Sequence, residues 1–315
     1  MRLKIPCKKI QFFGFIVLIL VTVTGVFPFP VSADDGLAND RAIFWSIHKD
    51  GTAAGYLLGT IHSEDPRVLD FSEEFLDKVK ENSVFAMELV PDLPTLARLT
   101  EYMHYPPGQT LESEIGSARY SALVSALSAY KVPLEFVSRM RPWAAMMTLS
   151  TPPPETGFFM DLSLSLRASG NGLKVIGLET LDQQLSFLQE MPIPMQLALL
   201  DQAILEFENV NDAHDMMVDA YLKNDLLKLQ TLADEQLEVV GDAAADYFIE
   251  SGIHARNLRM AESLFAYLDD NQVFVAVGAL HLPGEEGLLS LLRSRGYKLK
   301  PLAMPFSKTP QTTGH

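Results

Sequence analysis

Hydrophobic and polar positions along this chain follow two different periods. Apolar runs of strand length stand at residues 42–47, 54–58, 83–90, 172–178 and 273–277; continuous runs of this kind are the pattern of strands covered on both faces. Between the first two, Lys49-Asp50-Gly51 supplies turn chemistry, which predicts a hairpin. Helical spacing takes over at 72–79, where Ser72 stands before Glu73 and Glu74 as a cap. It returns at 93–103, 120–130, 143–149 and 160–168, with breaks at Pro106-Pro107 and Pro152-Pro153-Pro154. Nearly all of 181–268 is helix-forming, and 285–295 reads as an amphipathic helix before an edge strand at 298–303. The order predicts an α/β fold: a central mixed sheet flanked by helices, with 181–268 as a helical insertion or cap. Residues 34–307 form one domain in this reading, and the polar stretch 308–315 is a frayed tail.

One apolar run does not belong to the fold. Residues 10–26 carry no charge, follow the basic residues Arg2, Lys4, Lys8 and Lys9, and precede Val31-Ser32-Ala33. That is the pattern of a secretory signal of residues 1–33 with cleavage near Ala33, so the chain is expected to be exported, periplasmic or secreted. The alternative is an uncleaved anchor, because the run is close to the roughly 20 residues that span a bilayer. Cleavage would remove Cys7, the sole cysteine, and with it all thiolate chemistry. It would also remove four of the 25 basic residues and no acid, leaving 21 against 40 and a net charge of −19 in place of −15. A surface this acidic argues against nucleic acid and anionic membrane as partners.

Two of the strand-like runs share an ending. Tyr56-Leu57-Leu58-Gly59-Thr60-Ile61-His62 and Phe274-Val275-Ala276-Val277-Gly278-Ala279-Leu280-His281 each finish in Gly-x-x-His and lead into a turn and a helical pattern. Each therefore sets an imidazole just past the carboxyl end of a strand, where open α/β sheets build their sites. Gly59 and Gly278 lack Cβ, which lets the chain turn sharply or lets a ligand approach closely. Two such units forming one site would bring His62 and His281 onto one divalent ion, with Glu88 as a third donor. Nitrogen and oxygen donors suit Zn, Mn, Co or Fe and leave a position for water.

Glu88 lies inside an otherwise apolar run, and a lone buried carboxylate costs several kcal/mol or more. It is a metal ligand, a general base, or a structural acid paired with Arg139, Arg141 or Arg256. Glu179 ends another run and serves the site or caps the helix after it. Arg256 interrupts an apolar helical stretch, where an inward-facing guanidinium neutralises an acid or stabilises a developing oxyanion. Asp161 is a weaker case of the same kind. The sequence contains no Gly-x-Ser-x-Gly elbow, P-loop, dinucleotide fingerprint or His-Glu-x-x-His helix.

These segments, with Met87-Glu88-Leu89, Gly177-Leu178-Glu179-Thr180, Arg256-Asn257 and His281-Leu282-Pro283-Gly284, together resemble the TraB/GumN family in the right order over nearly the whole mature chain. That family is similar to the Tiki proteases and, more distantly, to the ChaN and erythromycin esterase group. The resemblance implies an α/β domain with its site at the strand ends and, in the Tiki branch, a metal-dependent protease. Gly59, His62, Glu88, Gly278 and His281 match that branch's essential positions, while Glu179 and Arg256 match recurrent ones. The expectation is a hydrolase acting on a peptide or protein with Mn, Co or Zn. The alternative is a binding protein that holds a peptide, a haem or another small ligand in the same pocket.

Overall fold

The structure, a computed structural model, describes residues 41–270, 272–303 and 306. The expected signal segment and the tail 308–315 lie outside the described residues. Among the described residues, no helix is long and apolar enough to cross a membrane.

Six strands form one mixed sheet: β1 (Phe44–Lys49), β2 (Thr52–Thr60), β3 (Val84–Met87), β4 (Lys174–Gly177), β5 (Val273–Gly278) and β6 (Lys298–Pro301). Their spatial order is β4-β3-β5-β2-β1-β6. The expected hairpin is β1–β2, closed by Asp50-Gly51 with φ of 51° and 82°. Two consecutive positive φ values make the tight turn whose twist suits a hairpin, and Gly51 adopts it without strain. β6 pairs with β1 and forms the edge that the sequence pattern predicts. The remaining four strands run parallel, β2 with β5, β5 with β3, and β3 with β4. All four carboxyl ends therefore lie along one side of the sheet.

The central strand β5 is buried along Val273–Val277, with Phe274 stacked on Phe85 at 5.7 Å between ring centroids. Helices pack over this sheet, among them Met160–Gly170 and Ala255–Leu268. A second apolar core is purely helical and draws on residues 99–149, 181–200 and 237–248. Its centre is the helix Pro142–Leu149, every residue of which is buried; such a helix shows no amphipathic stripe because it has no solvent face. The stretch 181–268 is helical apart from short breaks, but it divides between the two cores: Val218–Ala233 and Met260–Leu268 pack with the sheet.

Gly59 joins the two Gly-x-x-His segments physically. A Cβ at this position would lie 2.8 Å from the Ala279 Cα and 3.1 Å from Leu282 Cδ2. The first motif thus lacks a side chain so that the turn carrying His281 can approach its backbone. Gly59→Ala is expected to destabilise the protein by about 1–3 kcal/mol, because backbone at 2.8 Å must move. Denaturant midpoints of the two proteins check this, and an unchanged midpoint contradicts the contact.

Candidate active site

The sheet order brings the four predicted side chains into one row. Glu179 follows β4, Glu88 follows β3, His281 follows β5 and His62 follows β2, so that Glu88 and His281 stand at neighbouring strand ends. Glu88, Glu179, Arg256, Asn257 and His281 are each at most 4% exposed.

Arg256 settles how a charged row survives burial. Its Nη2 donates to Glu88 Oε2 at 2.6 Å, and its Nε donates to Glu179 Oε2 at 2.8 Å. Arg259 reaches the other Glu179 oxygen at 3.3 Å. Of the three arginines considered as partners of Glu88, only Arg256 makes the contact. The helix Ala255–Leu268 presents it directly after a π-helical segment, Phe248–His254; departures of this kind from α geometry recur at functional sites. Burial alone would raise the Glu88 carboxyl, but the Arg256 charge and the N–H of Gly278, which donates to Oε1 at 2.7 Å, hold it below the ordinary carboxylate range. Burial wins at Glu179, whose carboxyl is raised against the pull of Arg256. Arg256 is committed to these two acids and is absent from the cleft wall.

His281 occupies a short 3₁₀ turn, Ala279–His281, and is fully buried. Asn257 Nδ2 donates to the Glu286 carbonyl at 2.8 Å, which turns its Oδ1 towards His281 Nδ1 at 2.6 Å. Nδ1 therefore carries the imidazole proton. Burial drives the ring pKa down to about 3, so His281 is neutral and Nε2 is a bare lone pair. That lone pair has no hydrogen-bond partner and faces Glu88 Oε1 at 3.7 Å.

His62 lines a cleft together with Glu88 and Asp161. Its ring stacks on Phe159 with centroids 3.7 Å apart, its buried Nδ1 has no partner, and burial holds it neutral with a pKa of about 4. Phe159 is carried by a loop that Glu64 fixes, accepting from the Thr156 N–H at 2.7 Å and the Gly157 N–H at 2.9 Å. Beneath this roof is a cleft of about 80 Å³ whose polar wall is His62, Glu88 and Asp161, with Met87, Leu96 and Phe159 among the apolar lining. Asp161 accepts a hydrogen bond from Thr60 Oγ1 at 2.5 Å. Burial and the nearby Glu88 charge raise its carboxyl to about 7. Asp161 lines this cleft, and sequence reasoning gave Asn257, Gln184 and Phe159 no role. An acid at the start of a helix reads as a partner of the helix dipole, and only the fold turns this one into the cleft.

Imidazole nitrogen and carboxylate oxygen are donor types that divalent metals accept. His62 and His281 are neutral imidazoles that each have a ring nitrogen without a hydrogen-bond partner, and that of His281 stands opposite the Glu88 carboxylate. Bonds of about 2.0–2.1 Å in a tetrahedral shell put neighbouring donors about 3.4 Å apart, close to the 3.7 Å between Glu88 Oε1 and His281 Nε2. The gathering is incomplete: among the described residues, no three His, Cys, Asp or Glu side chains are grouped closely enough to hold an ion.

Comparison with known proteins places this geometry among relatives. Metalloprotease TIKI2 of Xenopus tropicalis is 24% identical over 82% of this chain and 60% of its own length. Metalloprotease TIKI1 of Danio rerio is 23% identical over 85% of this chain and 65% of its own. The chain thus spans less than two thirds of these two relatives. The uncharacterized protein YbaP of Escherichia coli K12 is 25% identical over 76% of this chain and 87% of its own length. No solved structure matches. The model of the TraB/PrgY/gumN family matches residues 43–301, a span that holds every strand of the sheet and every residue of the row at its carboxyl ends, and the chain belongs to that family.

Proposed function

We propose that this protein is an exported, metal-dependent hydrolase that cleaves peptides. The observation that carries the proposal is the pair Glu88 Oε1 and His281 Nε2, a carboxylate and a lone pair facing each other at 3.7 Å in a buried site. Two acceptors in that position repel unless a cation lies between them. Asn257 holding the far nitrogen of His281 is the outer hydrogen bond that metal-bound imidazoles require. The names of the relatives, metalloproteases TIKI1 and TIKI2, support the same chemistry. The basic, apolar, small-residue order of residues 1–33 supports export.

In this reading His62, His281 and Glu88 hold the ion, Mn, Co or Zn. A divalent ion there supplies Lewis acidity and lowers the pKa of a bound water towards neutrality. The protein's own groups divide the remaining work. Asp161 lines the cleft and, with its carboxyl raised to about 7, accepts the proton of the attacking water. Glu88 has three of its acceptor sites occupied, by Arg256, Gln184 and Gly278, which suits a fixed ligand better than a proton carrier. Arg256 positions Glu88 and keeps it ionised, and Glu179 holds the other edge of the Arg256 guanidinium. Phe159 and Leu96 keep the cleft apolar around the reacting carbonyl.

Elemental analysis tests the reading. Protein purified without chelator should carry close to one divalent ion per chain, and the double variant His62→Ala, His281→Ala should carry none. Asn257→Leu, which removes no ligand, is expected to weaken the ion about 10–100-fold in a competition with a chelating dye. The incomplete gathering of donors favours the second reading, a protein that holds a peptide or haem without cleaving it. No ion in the wild-type protein, together with an uncut peptide library in added Zn, Mn or Co, would decide for that second reading.

A further inference from the structure

The helical core holds a second cavity, of about 300 Å³, that shares no wall residue with the cleft at the strand ends. It sits among the ends of four helices, Leu93–Met103, Pro142–Leu149, Leu181–Gln189 and Ile193–Glu206. Its size falls at the lower end of the roughly 300–1,000 Å³ typical of small-molecule sites.

Two features of the wall favour an anion. Arg141 makes no ion pair within 4 Å among the described residues, and its guanidinium stacks over Tyr105 at 4.8 Å from the ring centroid. Stacking fixes the plane of the fork and leaves its N–H edge free, the arrangement that takes a carboxylate through two parallel hydrogen bonds. Trp143 is 3% exposed, and its buried indole N–H has no partner. That N–H has no surface open to the cavity, so Trp143 contributes its ring rather than a donor. Arg141 and Trp143 also stand at the cap and second residue of the helix Pro142–Leu149, whose positive end opens here. No acidic side chain lines the cavity. Asp182, which accepts from the Tyr102 hydroxyl, is neutralised by Arg98 at 2.9 Å.

The rest of the wall defines the body of the ligand. Tyr102, Tyr105 and Trp143 line it with aromatic side chains and Ile193 with an aliphatic one. Gln196 is spent on the Trp143 backbone N–H, from which its Oε1 accepts, and on the Met191 carbonyl, to which its Nε2 donates. We infer that this cavity is a binding site for a small aromatic carboxylate, its acid group on the free edge of Arg141 and its ring against the tyrosines and the tryptophan. The site stands apart from the proposed hydrolase chemistry and is tested without it.

Phenylacetate is the probe, titrated into the full chain by calorimetry and by ligand-observed NMR, with phenylacetamide and inorganic phosphate as comparisons. Saturable binding of phenylacetate is expected, at least tenfold tighter than of either comparison. Arg141→Gln should weaken it tenfold or more, while circular dichroism melts report an intact fold. The His62→Ala, His281→Ala variant should bind phenylacetate as the wild type does, so failure of the metal reading leaves this result standing. No saturable binding, equal binding of phenylacetamide, phosphate binding as tight as phenylacetate, or an Arg141→Gln variant of unchanged affinity would each overturn the assignment.

Discussion

Arg256→Met is expected to cost about 3–5 kcal/mol of folding stability, the largest loss of any single side chain in the row, because it leaves two buried carboxylates without a counter-charge. The guanidinium is 1% exposed and bridges Glu88 to Glu179 through contacts of 2.6 Å. Arg259 is too exposed, and too distant at 3.3 Å, to take over both acids. The loss is a penalty on the orphaned acids rather than the net worth of the ion pairs. The triple variant Arg256→Met, Glu88→Gln, Glu179→Gln should therefore recover most of it, since neutral amides keep the shape and remove the charge. Chemical denaturation at neutral pH checks both variants. A single variant within about 1 kcal/mol of wild type would mean that the acids are already neutral in the folded protein.

The same cluster fixes a sign for the pH dependence. Glu88 has a folded-state pKa below its ordinary value, so its contribution is present above the ordinary carboxylate range. That contribution is lost as the pH falls through the depressed value. Acid should therefore unfold the wild type more steeply than a Glu88→Gln variant, which lacks this one titration.

How much of this could be read from the residues differs from one to the next. The two Gly-x-x-His segments were visible because an apolar run of strand length with a polar ending is a local pattern, and parallel pairing of β2 with β5 then aligns the endings. Glu88 was visible because a carboxylate in an apolar run violates a local rule. Its partner was not, since choosing Arg256 over Arg139 and Arg141 requires knowing which helix faces the strand ends. The reason for Gly59 was hidden in the same way: its φ is ordinary, and the constraint comes from Ala279, far along the chain. Helical periodicity marked buried faces without saying what they face. It therefore gave no sign that 99–149 and 181–200 share one core. Asn257 is the clearest loss, because an amide beside a buried arginine has no pattern of its own until His281 is set against it.

Asp161→Asn is expected to lower kcat on a cleaved peptide about 10²–10⁴-fold while leaving the bound ion in place, because it removes a proton acceptor and no proposed ligand. The amide retains the Thr60 hydrogen bond that holds the side chain in the cleft wall. Its effect on stability runs opposite to that of Glu88. The Asp161 carboxyl is raised from 3.8 to about 7, so its contribution is full below the unfolded value and is lost as the pH rises through the folded one. In chelator-treated protein the wild type should lose stability between about pH 4 and pH 7, by about 1–3 kcal/mol once partial exposure through the cleft is allowed for. The asparagine variant should show no such fall. Denaturant midpoints at pH 5 and pH 8 separate the two proteins, and the activity profile provides the second half of the test. Cleavage limited by an Asp161 carboxylate rises with pH as the proton leaves, so an Asp161→Asn enzyme with wild-type kcat, or a stability curve that stays parallel to wild type across this range, would remove Asp161 from the reaction and return the proton to Glu88.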